Sequence, residues 1–160
     1  MSTSGAVDGY YTDFARSTVV GGDPSEAQED VLEAPIACVE YVLESFKPGV
    51  RVVDIYGRGA EWLVENGWID DTEGDASRDF GLHSYCPIFG HGIGVGIENP
   101  WIVAESQIVL EKNMTIAVES MLARGTAGAN FEHDIIVTSD GYEVLDTDCP
   151  DRWWQEVAVA

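Results

Sequence analysis

The sequence predicts a single mixed α/β (α+β) domain, and three observations carry that expectation. Two segments in the first half space their apolar residues by threes and fours, as helices do. Segments before and after them are rich in β-branched and aromatic residues, as strands are. Of 160 residues, 45% are apolar, enough to bury one core without disulfides or structural metals.

Residues 9–21, GYYTDFARSTVVG, suit a strand closed at Gly21-Gly22, with Asp13 inside it. Asp23, Pro24 and Glu26 then have the form of a helix N-cap, a proline at the first helical position and an acidic first turn. Leu32, Ile36, Val39, Leu43 and Phe46 define one buried face, whereas Glu29, Glu33, Glu40 and Glu44 fall elsewhere. Pro35 is expected to kink this helix, and Lys47-Pro48-Gly49 to stop it. A second helix is expected from Val53 to Asn66, with Val53, Tyr56, Ala60 and Leu63 on its buried face, weakened by Gly57 and Gly59 and ended by Gly67.

Residues 70–80 are polar, acidic and short of apolar anchors, and read as a surface loop, with His83 exposed beside it. Gly90, Gly92, Gly94 and Gly96 crowd one stretch, so backbone is expected to approach something closely there. Met114 to Met121 and Phe131 to Thr138 read as strands, the second turning at Ser139-Asp140-Gly141 into Tyr142 to Leu145. Trp62, Trp68 and Trp101 read as core or rim packing, and Trp153-Trp154 as docking on the domain or on a partner.

Charge excludes whole classes of function. Eight basic residues against 29 acidic ones give a net charge of −21, which rules against electrostatic binding of nucleic acid or of an anionic membrane. The carboxylates run from Asp8 to Glu156 among aromatic and β-branched residues, so they coat a folded surface rather than forming a disordered tail. A surface this negative repels itself unless salt screens it, and we expect a protein adapted to a salt-rich cytoplasm. Three cysteines without a Cys-x-x-Cys pair signal neither a disulfide framework nor a cysteine-rich zinc site. The first residues carry no basic and apolar leader, and no apolar run of about 18 residues occurs, so the expected location is cytoplasmic.

Four ionisable residues stand in apolar or glycine-rich surroundings, where a charge is costly unless it is paired or bound to metal: Asp13, His91, Glu119 and Glu132. On neighbouring strands Glu119 and Glu132 can face each other across a cation. One histidine with three carboxylates suits Mn²⁺, Fe²⁺, Co²⁺ or Zn²⁺ better than Ca²⁺ or Mg²⁺. Spacing alone leaves open the alternative of outward-facing strand carboxylates and a hydrogen-bonded core histidine.

Five blocks in order carry a resemblance: GYYTDFARSTVVG; PSEAQEDV with FKPGV; FGHGIGVGIENP; LEKNMTIAVES; and FEHDIIVTSDGYEVL. Together they resemble the catalytic domain of the pita-bread metallohydrolases, which include methionine aminopeptidases, Xaa-Pro aminopeptidases, prolidases and creatinases. The resemblance implies a curved antiparallel sheet holding the site on one face, with helices covering the other. It makes Asp13 and Glu132 bridging ligands, His91 the imidazole ligand, and Glu119 a terminal ligand that shuttles a proton for a metal-activated water. One or two divalent ions, manganese among the candidates, and a small peptide substrate are implied. Arg16 falls on the strand face opposite Asp13 and is open between an ion pair at the surface or an interface and support of the ligands. His133 is expected to point away from Glu132.

Three departures from the family pattern shape the expectation. The family's other aspartate, eleven residues before Asp13, is Ser2 here, so one metal is better furnished than two. The helices and strand that normally begin the domain, and the separate N-terminal domain, are expected to be missing, leaving residues 1–160 an incomplete domain that pairs with that segment or with a second copy as a homodimer. The pocket histidine seven residues after His91 is Glu98, which is similar to a divergent branch containing lyases of dimethylsulfoniopropionate. A small zwitterionic substrate, with Glu98 catalytic, is therefore one alternative, and a non-catalytic peptide binder is another.

Overall fold

A computed structural model describes residues 2–69, 83–85 and 88–156. The expected loop over 70–80 and the side chain of His83 lie outside the described residues. The described chain runs β1 (Ser2–Val7), β2 (Tyr10–Ala15), α1 (Glu26–Leu43), α2 (Val52–Glu65), β3 (His83–Tyr85), β4 (Gly90–Ile93), β5 (Ile97–Trp101), β6 (Thr115–Arg124), β7 (Ala127–Val137), β8 (Tyr142–Val144) and α3 (Trp153–Glu156). The α/β expectation is met.

All strand pairings are antiparallel, in the order β1-β2-β7-β6-β4-β5. β3 shares an edge of β6 with β4, and β8 shares an edge of β7 with β2. The sheet thus divides around β7. β2 meets it only at Ala15 opposite Glu132, and β8 meets it from Ile135 to Val137.

Helix α1 packs across β6 and β7 and against α2. Leu32, Ile36, Val39, Leu43 and Phe46 are all buried, as their spacing predicts, and they meet Ile116, Val118, Leu122, Phe131 and Ile135 from the sheet. Because strand side chains alternate, the residues between these on β6 and β7 face the other way. That leaves Ala117, Glu119 and Met121 opposite Asp134, Glu132 and Asn130 on the face turned from the helices.

Several local expectations are corrected. The N-cap of α1 is Ser25, not Asp23, because Gln28 reaches back to accept from the Ser25 N–H at 2.9 Å, so the box displaces the start past Pro24. Pro35 lies inside α1, which continues to Leu43. The buried face of α2 is set by Val52, Ile55, Gly59 and Leu63 with Ala60, one residue earlier in phase than expected, leaving Val53 and Tyr56 half-buried. Packing accounts for the shift: a β-carbon at Gly59 would sit 2.5 Å from the Phe89 ring, so the helix rotates its bare glycine toward that ring. The first strand is shorter than 9–21 and has a hairpin partner, β1, that composition did not mark. Trp68 is buried, Trp62 and Trp154 pack partly on the core, and Trp101 is exposed, with its ring against His91. No helix among the described residues is long and apolar enough to cross a membrane.

Candidate metal centre

His91 enters the site from β4, hydrogen-bonded between β5 and β6. Its insertion needs unusually close backbone contact. A β-carbon on Gly90 would lie 2.1 Å from the Ala117 carbonyl oxygen, and one on Gly92 would lie 2.3 Å from that of Asn99. The glycine-rich reading is met at these two positions: β4 is pressed against both neighbours, and only hydrogen fits. The imidazole is 7% exposed and packs against the Trp101 ring, centroids 5.3 Å apart. His91 Nδ1 donates to the Gly92 carbonyl at 3.2 Å, which in the neutral ring places the lone pair on Nε2.

That nitrogen lies 4.0 Å from Asp13 Oδ2 and 3.9 Å from Glu132 Oε1. Ligand atoms of Asp13, His91 and Glu132 all fall within 4.8 Å of one another, the one such group of three or more among the described residues. The donor chemistry fits a divalent cation: one imidazole nitrogen faces the buried carboxylate of Glu132 and the half-buried one of Asp13.

Glu119 and Glu132 occupy directly opposed positions on β6 and β7. Both are raised above the ordinary carboxylate range. Burial is the largest cause for Glu132, and Glu119, Asp13, Asp134 and Asp146 add to it, pushing the carboxyl up to about 9. Burial also raises Glu119, where the attraction of His91 and a hydrogen bond from Asn130 oppose it and Asp13 reinforces it. Burial and mutual repulsion favour the protonated forms of Glu119 and Glu132, and a divalent ion would relieve the same repulsion. Glu119 therefore belongs electrostatically to the cluster although it is outside the three-ligand group.

Glu98 stands apart. It is exposed on β5, opposite Gly92, with its carboxylate folded over the bare face of Gly94. His133 points away from Glu132, as expected, and packs edge-on against Phe131 at 4.7 Å.

One supporting feature was missed in the sequence, and a second, Arg16, was left open there. Where β2 leaves β7, the Asp134 carboxylate replaces the lost ladder, accepting from the Asp13 N–H at 3.0 Å and from the Thr12 hydroxyl. The signal was present, since Asp134 lies two residues from Glu132 and so shares its face. Arg16 is not at the surface but 2% exposed, paired with Asp146 at 2.8 Å and Asp151 at 3.1 Å. Burial alone would raise the Asp146 carboxyl, but hydrogen bonds and charge from His133 and Arg16 outweigh it and hold the group below its ordinary value.

Comparison with known proteins decides the family. The model of metallopeptidase family M24 matches residues 1–139. The chain belongs to metallopeptidase family M24. Among M24 relatives, the Xaa-Pro dipeptidase of Pyrococcus furiosus is 27% identical over 143 residues, covering 88% of this chain and 37% of the relative. A methionine aminopeptidase of Chlamydia pneumoniae is 26% identical, covering 91% of this chain and 53% of the relative. The X-Pro aminopeptidase of Thermotoga maritima superposes with a TM-score of 0.78 at 24% identity, over 94% of this chain and 39% of that one. The prolidase of P. furiosus does so with 0.73 at 23%, over 89% and 39%. The pita-bread expectation is thereby met, and the chain spans about a third to a half of the length of these M24 proteins.

Proposed function

We propose that this chain carries the metal centre of an M24-type exopeptidase that hydrolyses a short peptide, an Xaa-Pro peptide being the first candidate. The observation that carries the reading is the convergence of Asp13, His91 and Glu132 ligand atoms within 4.8 Å, with Glu119 directly opposite Glu132. The names of the relatives supply the substrate class: an Xaa-Pro dipeptidase and an X-Pro aminopeptidase.

A divalent ion bound by these residues would polarise the scissile carbonyl and make a water acidic enough to attack it near neutral pH. Mixed nitrogen and oxygen donors favour Mn²⁺, Fe²⁺, Co²⁺ or Zn²⁺. His91 contributes orientation, since the Nδ1 hydrogen bond to the Gly92 carbonyl turns Nε2 toward Asp13 and Glu132. Glu119, its basicity raised by burial, is suited to take the proton from the attacking water and hand it to the leaving amine. Asp134 holds the Asp13 backbone so that this carboxylate stays aimed at His91.

Glu98 favours a second reading on the same centre. A carboxylate accepts hydrogen bonds rather than donating them to a substrate carbonyl, so elimination from a small zwitterion such as dimethylsulfoniopropionate is the rival chemistry. Metal analysis of protein purified in high salt, followed by assays of Xaa-Pro dipeptides and dimethylsulfoniopropionate, separates the readings. Release of proline supports the peptidase; dimethylsulfide alone supports the lyase; metal at background in wild type and in His91→Ala alike makes the chain a binder.

A further inference from the structure

The strands carrying Asp13 and Glu132 meet at one register pair, Ala15 opposite Glu132. So short a ladder does little to set the spacing of two strands, because each further pair is what makes the next cooperative. Arg16 supplies the missing tie. Its Nη1 donates to both carbonyls of that pair, to Glu132 at 2.6 Å and to Ala15 at 3.0 Å. The rest of the guanidinium reaches residues 146–151 and His133: Nη2 donates to Asp146 at 2.8 Å and Asp151 at 3.1 Å and lies 3.3 Å from His133 Nδ1, and Nε donates to the Pro150 carbonyl at 3.2 Å. The Phe131 ring covers its face at 4.4 Å.

The tie reaches the second ligand as well. Asp146 accepts from the Asp134 N–H at 3.1 Å, and the Asp134 carboxylate accepts from the Asp13 N–H at 3.0 Å. The M24 match ends at residue 139, so the segment that completes this network lies past the matched residues.

We propose that Arg16 and residues 146–151 form a clamp on the face of β7 behind the metal centre, positioning Asp13 and Glu132 for a divalent cation. The clamp rests on the metal reading above. Arginine is required because its planar fork serves three carbonyls and two carboxylates at once, whereas lysine is a single point charge. Arg16 is a positioning residue: it touches the ligands' backbone and neighbours, not the cation.

Cobalt titration of the full chain, read by visible absorption, tests this. The variants are Arg16→Gln, Arg16→Lys, Asp146→Asn and, as control, Leu63→Ala, which opens a cavity at a fully buried position on α2. Urea melts fix conditions in which every variant compared is folded. Arg16→Gln should weaken Co²⁺ binding on the order of 10- to 100-fold and alter the absorption band, Arg16→Lys should recover part of the loss, and Leu63→Ala should bind as wild type. If Arg16→Gln does not fold, Asp146→Asn carries the same expectation. Wild-type affinity and spectrum in the clamp variants, or an equal loss in folded Leu63→Ala, would overturn the clamp alone. Failure of wild type to bind cobalt would overturn the metal reading and the clamp with it.

Discussion

Glu119 and Glu132 stand directly opposite each other on β6 and β7, on the sheet face turned away from the helices. Two carboxylates in that register repel each other, and burial prevents water from screening them. The arrangement is unfavourable as a purely structural feature, and the Nε2 of His91, 3.9 Å from Glu132, marks where the compensating charge belongs.

Replacing His91 by alanine removes the one nitrogen donor of the group. Metal content, measured by elemental analysis after purification in excess Mn²⁺ or Co²⁺, should fall to background while the circular dichroism spectrum is retained. Retention of the wild-type metal content would place the ion elsewhere.

Glu119→Gln should separate binding from chemistry. The variant keeps its shape and still offers an oxygen, so metal content should stay within about tenfold of wild type. It cannot accept a proton, so kcat should fall by about 10²- to 10⁴-fold. An unchanged kcat in single-turnover assays would remove Glu119 from the proton-transfer role.

The metal-free protein should lose stability as pH rises. The folded state holds the Glu132 proton up to about 9, whereas the unfolded chain releases it near the ordinary 4.5. Folding therefore favours the protonated form, and this contribution is complete below 4.5 and lost as pH climbs to about 9. Asp146 acts oppositely: its lowered value gives a contribution present above 3.8 and lost on acidification below that. Urea melts of chelator-treated protein between pH 5 and 9 should show a falling midpoint that added Co²⁺ reverses, since ligand at about 100 Kd stabilises by about 2.7 kcal/mol.

Gly90→Ala should be among the most damaging single changes. Its β-carbon would meet the Ala117 carbonyl at 2.1 Å, and its φ of +135° is a conformation that side chains rarely adopt. A loss of at least about 3 kcal/mol is expected from urea unfolding, against about 0.5 kcal/mol or less for an exposed substitution such as Glu40→Gln.

Salt should stabilise the chain. With a net charge of −21, self-repulsion opposes the folded state until it is screened, and the Debye length shrinks from about 10 Å at 0.1 M to about 3 Å at 1 M. The urea midpoint should rise from 0.1 M to 2 M KCl; a flat or falling midpoint would mean that the acidity is not an adaptation to salt.

Periodicity and chemistry made much of this protein legible from its residues alone. The face Leu32-Ile36-Val39-Leu43-Phe46 was readable because a helix buries one stripe whatever lies opposite. Asp13, His91, Glu119 and Glu132 were readable because ionisable groups in apolar stretches need a reason to be there, and the order of the surrounding blocks named that reason. What periodicity could not supply was anything depending on which strands meet. The phase of α2 was set by Phe89 against Gly59, the β1 partner of β2 by a hairpin of unremarkable composition, and the burial of Arg16 by a segment 130 to 135 residues distant. Those are long-range contacts, and a local pattern carries no information about the partner on the far side of a fold. The sequence by itself determined the family and pointed to Asp13, His91, Glu119 and Glu132 as candidate ligands; only the tertiary structure decided that the strands holding Asp13 and Glu132 share a single register pair and that a buried arginine ties them together.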